Sequence, residues 1–278
     1  MIKSILIPTD GSPNSIVAAQ YGIYLGSIFE AEITGLNVID IRALEGPFLS
    51  DISGSLGFSP YQNYLPKFQH ILEERADLIL NGFKNYCQRS SVQPRLKRLS
   101  GIIPSIISEE AKKVDLVVIA QRGEHEEWST GLLGSTTESV VRKSPRPVLV
   151  TPKTYREFNN IVIAYDGGNE ANKALKTACE LFSSFTCNVT VVFVTEDDEK
   201  SSELTAEVRE FVGPYQIDIH ITRLHGEHGK AILDYADQKN TDLIVMGAFG
   251  HSRIHDLILG GTTAYIIRKS SIPILLQR

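Results

Sequence analysis

Short, nearly continuous runs of Ile, Val and Leu recur along the chain, separated by longer segments with helical periodicity. In the first half these runs occupy residues 5–7, 33–39, 116–120 and 148–150. Such runs are typical of parallel strands covered on both faces, whereas a strand with one exposed face alternates apolar and polar residues. The pattern therefore predicts buried parallel strands.

The segments between the runs have the spacing of amphipathic helices. Residues 171–182 and 231–236 have this character in the second half. Between residues 66 and 87 the apolar positions predicted to share one helix face are Phe68, Ile71, Leu72, Ile79 and Phe83. Five strands joined by four helices in each half predict an α/β fold, with two similar, open, doubly wound five-stranded parallel sheets.

The two halves repeat one sequence pattern. Residues 133–150 reappear as residues 259–276, with about half of the aligned positions identical. Because solenoid repeats run only about 20–50 residues, a repeat of this length is a duplicated domain. Two further segments match in the same order, residues 4–11 with 160–167 and residues 114–120 with 241–247.

The repeat predicts two domains, at residues 1–152 and 158–278, joined near a short polar segment that contains a proline. The first domain carries an insertion at about residues 40–66 that the second lacks. This insertion is rich in Gly, Pro, Ser and aromatic residues and follows the second strand, near the expected ligand edge. The insertion is either a lid or partner-binding surface or a plain surface loop, and the sequence leaves both alternatives open.

Composition narrows the classes of function. The 278 residues carry 28 Lys and Arg against 33 Asp and Glu, a net charge of −5, which argues against a nucleic-acid partner. No stretch approaches the roughly 18 apolar residues of a membrane span, and the N-terminus does not resemble a signal peptide. The three cysteines form no CxxC pair, which favours a cytoplasmic protein.

Glycines and one aspartate meet at the predicted ligand edge of the second half. Doubly wound sheets bind ligands outside the carboxyl ends of their strands. Asp166 follows the first strand there, Gly247 and Gly250 follow the fourth, and Gly260 precedes the last helix. Glycine lets backbone N–H groups approach a ligand, and a helix N-terminus favours a phosphate, so the pattern predicts a phosphate-binding loop.

The spacing Gly247-x-x-Gly250-x9-Gly260 resembles the G-x-x-G-x9-G-[S/T] signature of the universal stress protein family. The opening segment 5–12 and the closing segment 147–150 of the first half are similar to that family as well, so the resemblance covers both halves. Many of its members bind ATP, with the aspartate near adenine and the glycine loop around ribose and phosphates. The resemblance implies a Rossmann-like, adenine-nucleotide-binding fold with ATP, or ADP or AMP, as ligand; Mg²⁺ can accompany the nucleotide.

The two sites depart from the signature in different ways. In the second half Gly261 replaces the Ser/Thr, with Thr262 beside it; in the first half Ser135 is present, but Ala120 replaces the first glycine and one extra residue follows Gly123. Glycine spacing controls backbone approach, whereas a neutral hydrogen bond contributes only about 0.5–1.5 kcal/mol, so the second half is predicted to be the tighter site. That both loops are merely tight connections stays open.

The candidate contacts follow from these positions. In the second, favoured half they are Ala164, Asp166, Val194, Met246, Gly247, Gly250, His251, Gly260, Gly261 and Thr262. In the first half they are Pro8, Asp10, Val38, Ala120, Gly123, Gly134, Ser135 and Thr136.

Catalytic and metal sites find little support in the sequence. There is no Walker A loop, no nucleophile–His–acid arrangement, and no ligand set to complete a zinc site around His251 and His255. We therefore expect a tandem stress-response protein that senses or binds a nucleotide and is not an enzyme. The alternatives are a slow ATP hydrolase or phosphotransfer enzyme, in which Asp10 or Asp166 helps to hold a metal, and a nucleotide-free interaction scaffold.

The last strand of each half is the predicted contact between the halves. In members of the family that strand commonly pairs two subunits, so the resemblance implies that residues 148–150 and 274–276 pair within this chain to form a pseudo-dimer. Exposed edge strands make such pairing favourable. A further homodimer stays open.

Overall fold

The computed structural model describes residues 2–42, 65–124, 134–183, 186–215, 217–248 and 260–278. The insertion predicted at about 40–66 falls almost wholly outside these ranges. The first half comprises β1 (Ser4–Pro8), α1 (Pro13–Phe29), β2 (Glu32–Asp40), α2 (Leu65–Arg89), β3 (Arg95–Gly101), α3 (Ile103–Ala111), β4 (Leu116–Ala120), α4 (Ser135–Lys143) and β5 (Val148–Thr151). The second half comprises β6 (Asn160–Ala164), α5 (Asn169–Phe182), β7 (Asn188–Val194), α6 (Asp198–Val212), a 3-10 turn (Gly213–Tyr215), β8 (Ile219–Leu224), α7 (His228–Gln238), β9 (Leu243–Gly247), α8 (Gly261–Lys269) and β10 (Ile274–Gln277).

Each half contains five parallel strands in the same order. The order is β3-β2-β1-β4-β5 in the first half and β8-β7-β6-β9-β10 in the second, which confirms the predicted fold class. β5 and β10 run antiparallel, with Leu149 opposite Leu275, so the two sheets join into one sheet of 10 strands. The predicted pairing of these segments within the chain is confirmed.

Two apolar layers cover the two faces of this sheet, and each contains residues from both halves. One lies under α1, α2, α5 and α6 and includes Phe83 and Leu175. The other lies under α3, α4, α7 and α8 and includes Ile107 and Ile266. Because the central strands, such as β4, are covered on both faces, their sequences are continuously apolar. The edge strands β3 and β8 are more exposed and alternate apolar and polar residues. Among the described helices, none is long and apolar enough to cross a membrane.

The prediction for the apolar face of α2 is partly wrong. Phe83 is buried and packs so closely on β2 that a Cβ on Gly35 would lie 2.5 Å from its ring. Ile71, predicted on the same face, is 57% exposed, and Leu78 is 73% exposed. Ala76 is buried instead. The orientation of the helix on the sheet decides which of its faces is covered, and periodicity does not specify that orientation.

The connection between the halves packs on α1. The Tyr21 ring stacks on Phe158 with centroids 5.7 Å apart, and Tyr24 meets the same ring edge-on at 5.5 Å. The Tyr21 hydroxyl donates a hydrogen bond to the Thr154 carbonyl and accepts one from the Arg156 N–H. Burial raises the pKa of Tyr21 to about 12, so this hydroxyl stays protonated at neutral pH.

Matching aspartates anchor the first strand of each half. Asp115 accepts hydrogen bonds from the N–H groups of Lys3 and Ser4 at 2.9 and 3.0 Å and from the Ser4 hydroxyl at 3.0 Å. Asp242 does the same in the second half, accepting from the N–H groups that precede and begin β6 at 3.1 and 3.0 Å. Burial raises the pKa of Asp115, but these hydrogen bonds outweigh it and leave that pKa below its ordinary value.

Asp115→Asn is expected to lower the free energy of unfolding at pH 7 by about 1–2 kcal/mol, because an amide is a weaker acceptor for these donors than a carboxylate. Since the folded-state pKa is lowered, the wild-type advantage is present above the unfolded pKa of about 3.9 and is lost as pH falls through the folded pKa. Urea unfolding of both proteins at pH 7 and at pH 3 measures the difference in their free energies of unfolding. If the wild type keeps its full advantage in free energy of unfolding at pH 3, the ionised Asp115 side chain is not its source. Asp237→Asn, at an exposed aspartate, is the control.

Candidate functional site

A cavity of about 510 Å³ lies at the carboxyl ends of β1, β2 and β4 in the first half. This is the edge at which doubly wound sheets bind their ligands. Every residue proposed from the sequence as a first-half contact lines it, namely Pro8, Asp10, Val38, Ala120, Gly123, Gly134, Ser135 and Thr136. The fold thus brings four separate segments of the sequence to one cavity.

The remaining lining residues were not predicted from the sequence. Apolar side chains form much of the wall, contributed by Leu36, Ile103, Ile107 and Ile119, and the polar additions are Thr9, Ser15, Asn37, Arg122, Glu124 and Thr137. Residues 103 and 107 are one turn apart on α3, a helix whose apolar face could be read from the sequence. Its position over the cavity could not, because it depends on the crossover from β3.

The N-terminus of α4 forms one end of the cavity. Gly134 precedes the helix, and no side chain caps it. The Thr137 hydroxyl donates a hydrogen bond to the Ala120 carbonyl at 2.8 Å, and the Gly134 N–H donates to the Gln121 carbonyl at 3.2 Å. These bonds fix the helix start against the end of β4. The first N–H groups of a helix lack intrahelical partners and sit at the positive end of its dipole, so this end suits an anionic group such as phosphate.

The Asp10 carboxylate lies at the edge of the cavity and accepts two backbone hydrogen bonds. One comes from the Ser12 N–H to Oδ1 at 3.0 Å, and the other from the Glu124 N–H to Oδ2 at 2.8 Å. The Glu124 side chain forms an ion pair with Arg75 of α2. The loop after β4 is thereby connected both to the end of β1 and to a neighbouring helix.

In the second half the described candidate residues occupy the corresponding edge. They are Ala164, Asp166, Val194, Met246, Gly247, Gly260, Gly261 and Thr262, at or just after the ends of β6, β7 and β9 and at the start of α8. The Asp166 carboxylate accepts a hydrogen bond from the Gly168 N–H at 2.9 Å, as Asp10 does from Ser12. No described atom lies within 4 Å of the position of a Cβ on Gly261. Gly250 and His251 lie outside the described residues.

Gly247 has a packing role that the signature did not indicate. A Cβ at this position would lie 2.9 Å from the Glu170 Cβ and 3.0 Å from its carbonyl carbon, so the first turn of α5 rests directly on the end of β9. At the equivalent position Ala120 carries a methyl group that belongs to the core under α1. The Gly-to-Ala difference between the halves is therefore explained by helix packing, independently of any ligand.

Metal ligands do not cluster in the described part of the chain. No group of three or more His, Cys, Asp or Glu side chains that could hold a metal ion occurs there. His251 and His255 lie outside it.

Comparison with known proteins agrees with the fold and the repeat. The model of the universal stress protein family matches residues 1–152 and again residues 157–278. A universal stress protein of Synechocystis sp. is 29% identical over 287 residues and is covered, like this chain, over 100% of its length. One from Methanocaldococcus jannaschii is 31% identical over 163 residues, 56% of this chain and 86% of that protein.

A solved structure has the same overall fold. The crystal structure of a universal stress protein from Archaeoglobus fulgidus superposes with a TM-score of 0.78 over 99% of this chain and 98% of its own, at 23% sequence identity. The chain therefore belongs to the universal stress protein family and carries two copies of the family's domain in tandem.

Proposed function

We propose that the cavity of the first domain binds an adenine nucleotide, ATP before ADP or AMP, and that the protein acts as a nucleotide-binding module in a cytoplasmic stress response. One observation carries the proposal: all eight first-domain candidate residues line a single cavity of about 510 Å³. Small-molecule sites typically enclose about 300–1,000 Å³. The sequence alone favours the second domain, but residues 249–259 of its loop lie outside the described structure.

The two ends of the cavity suit the two ends of a nucleotide. The side chains of Leu36, Ile103 and Ile107 supply an apolar wall on which a base can be buried. The uncapped N-terminus of α4, with the Ser135 hydroxyl beside it, supplies donors for phosphate oxygens. Arg122, which also lines the cavity, adds a positive charge that partly offsets the carboxylates at its edge.

The lining favours binding without efficient turnover. Its described residues include no histidine, lysine or cysteine. The Asp10 carboxylate accepts two backbone hydrogen bonds, and no described histidine of the lining is available to pair with it. We therefore propose that the protein is not an enzyme, and phosphate release from ATP over hours is the observation that would revive the hydrolase alternative.

A tryptophan at Val38 is expected to fill the cavity and weaken ATP binding at least tenfold, because a buried ligand cannot share that space. Val194 is the equivalent half-buried position at the end of β7, so Val194→Trp is the matched control. Calorimetric titration with ATP, with and without Mg²⁺, measures both variants. Loss confined to Val194→Trp would move the site to the second domain. If the wild-type protein does not bind ATP, the nucleotide-free interaction scaffold is the remaining alternative.

A further inference from the structure

Resting on the proposed function, we propose that Asp10 is a positioning residue: its carboxylate holds the loop of residues 121–124 at the cavity edge and does not select the base of the nucleotide.

Asp10 joins two backbone segments that are far apart in the sequence. Its Oδ1 accepts the Ser12 N–H at 3.0 Å, a local bond that fixes the turn between β1 and α1. Its Oδ2 accepts the Glu124 N–H at 2.8 Å, across 114 residues. Hydrogen bonds to an ionised group are among the stronger ones in proteins, so the second bond holds the loop after β4 against the end of β1.

Position 123 is occupied by glycine because the Asp10 carboxylate lies against it. A Cβ on Gly123 would lie 2.8 Å from Asp10 Oδ2, closer than side-chain carbons approach other atoms. The described backbone shows Gly123 outside the left-handed region, so its conformation does not require glycine. The close approach of this carboxylate therefore accounts for the glycine, whereas the signature attributes it to a phosphate.

A second contact holds the same loop from the outside. Glu124 donates its N–H to Asp10 while its side chain pairs with Arg75 on α2. This ion pair is largely exposed, with side-chain exposures of 45% and 52%, so its contribution is small. Asp10 is less exposed than either partner of this ion pair, so its hydrogen bond to the Glu124 N–H is the principal restraint.

A double-mutant cycle on the protein without nucleotide tests the restraint itself. In the wild-type background, Gly123→Ala is expected to displace the carboxylate and raise the unfolding equilibrium constant roughly tenfold, the effect of weakening one hydrogen bond to a charged group. In the Asp10→Ala background the same change should have little effect, because the obstructing oxygen is gone. Gly213→Ala, where no described atom lies within 4 Å of the added Cβ, is the control for adding a methyl group. Equal losses in both backgrounds would overturn the proposal.

Nucleotide titrations then separate positioning from base selection. Asp10→Asn should weaken ATP and GTP by the same factor, roughly tenfold, and leave their ratio of dissociation constants unchanged, because a displaced loop affects both ligands alike. A changed ratio would show that Asp10 contacts the base and would overturn the proposal. If neither nucleotide binds the wild type, the proposed function fails, while the cycle in nucleotide-free protein still decides whether Asp10 holds the loop.

Discussion

Replacing Leu149 with aspartate is expected to lower the free energy of unfolding by roughly 4–5 kcal/mol, the upper range for single substitutions, because it buries an unpaired charge. Leu149 is 1% exposed and lies opposite Leu275, which is 3% exposed, where β5 and β10 join the two domains. The same core layer contains side chains of both domains, so the charge disturbs the packing of both. Urea unfolding followed by circular dichroism measures the loss.

An exposed leucine is the control for this substitution. Leu78 is 73% exposed on α2, so Leu78→Asp should change the free energy of unfolding by no more than about 0.5 kcal/mol. Leu275→Asp should cost about as much as Leu149→Asp, and the double variant should cost less than their sum, because the two side chains share one contact. A Leu149→Asp protein as stable as the Leu78→Asp protein would refute the buried junction.

Gly247→Val should lower the free energy of unfolding by about 3 kcal/mol, at the upper end of the usual cost of overpacking. The added Cβ would lie 3.0 Å from the Glu170 carbonyl carbon and 3.2 Å from the Ala171 nitrogen. These are backbone atoms of α5, which cannot move aside without shifting the helix. Thermal and urea unfolding of the variant measure the cost.

Ala120→Val is the matched control, since Ala120 ends β4 as Gly247 ends β9. Ala120 already carries a Cβ, which its neighbours under α1 accommodate, so a smaller cost of about 1 kcal/mol is expected. Equal costs at the two positions would show that the close approach of α5 does not explain the glycine.

The pattern of apolar runs was sufficient to predict most of the fold. Segments such as residues 116–120 are buried along their whole length in the structure, which is why continuous apolar sequence indicated a parallel strand with both faces covered. The face of α2 was less predictable. Ile71 and Phe83 fit one helical stripe by spacing, yet only Phe83 is buried, because the tilt of a helix on its sheet depends on packing with other elements.

The candidate site was predictable in outline and not in detail. Residues at strand ends, such as Asp10 and Ala120, line one cavity because parallel strands end at the same edge of the sheet. Ile103 and Ile107 were missed, since nothing in their spacing shows which cavity their helix overhangs. The close approach of the Asp10 carboxylate to Gly123 could not be predicted from the sequence either, because the two residues are 113 positions apart.

The amino-acid sequence by itself determined that this protein is a duplicated α/β domain, because repeats and strand periodicity are local patterns that survive without knowledge of distant contacts. It also determined which residue types stand at the strand ends. Only the tertiary structure decided why the two copies differ at the end of their fourth strand. The glycine at position 247 accommodates a helix, and the alanine at position 120 borders a cavity, because the distance of α5 from β9 and of α1 from β4 is set by the packing of whole elements.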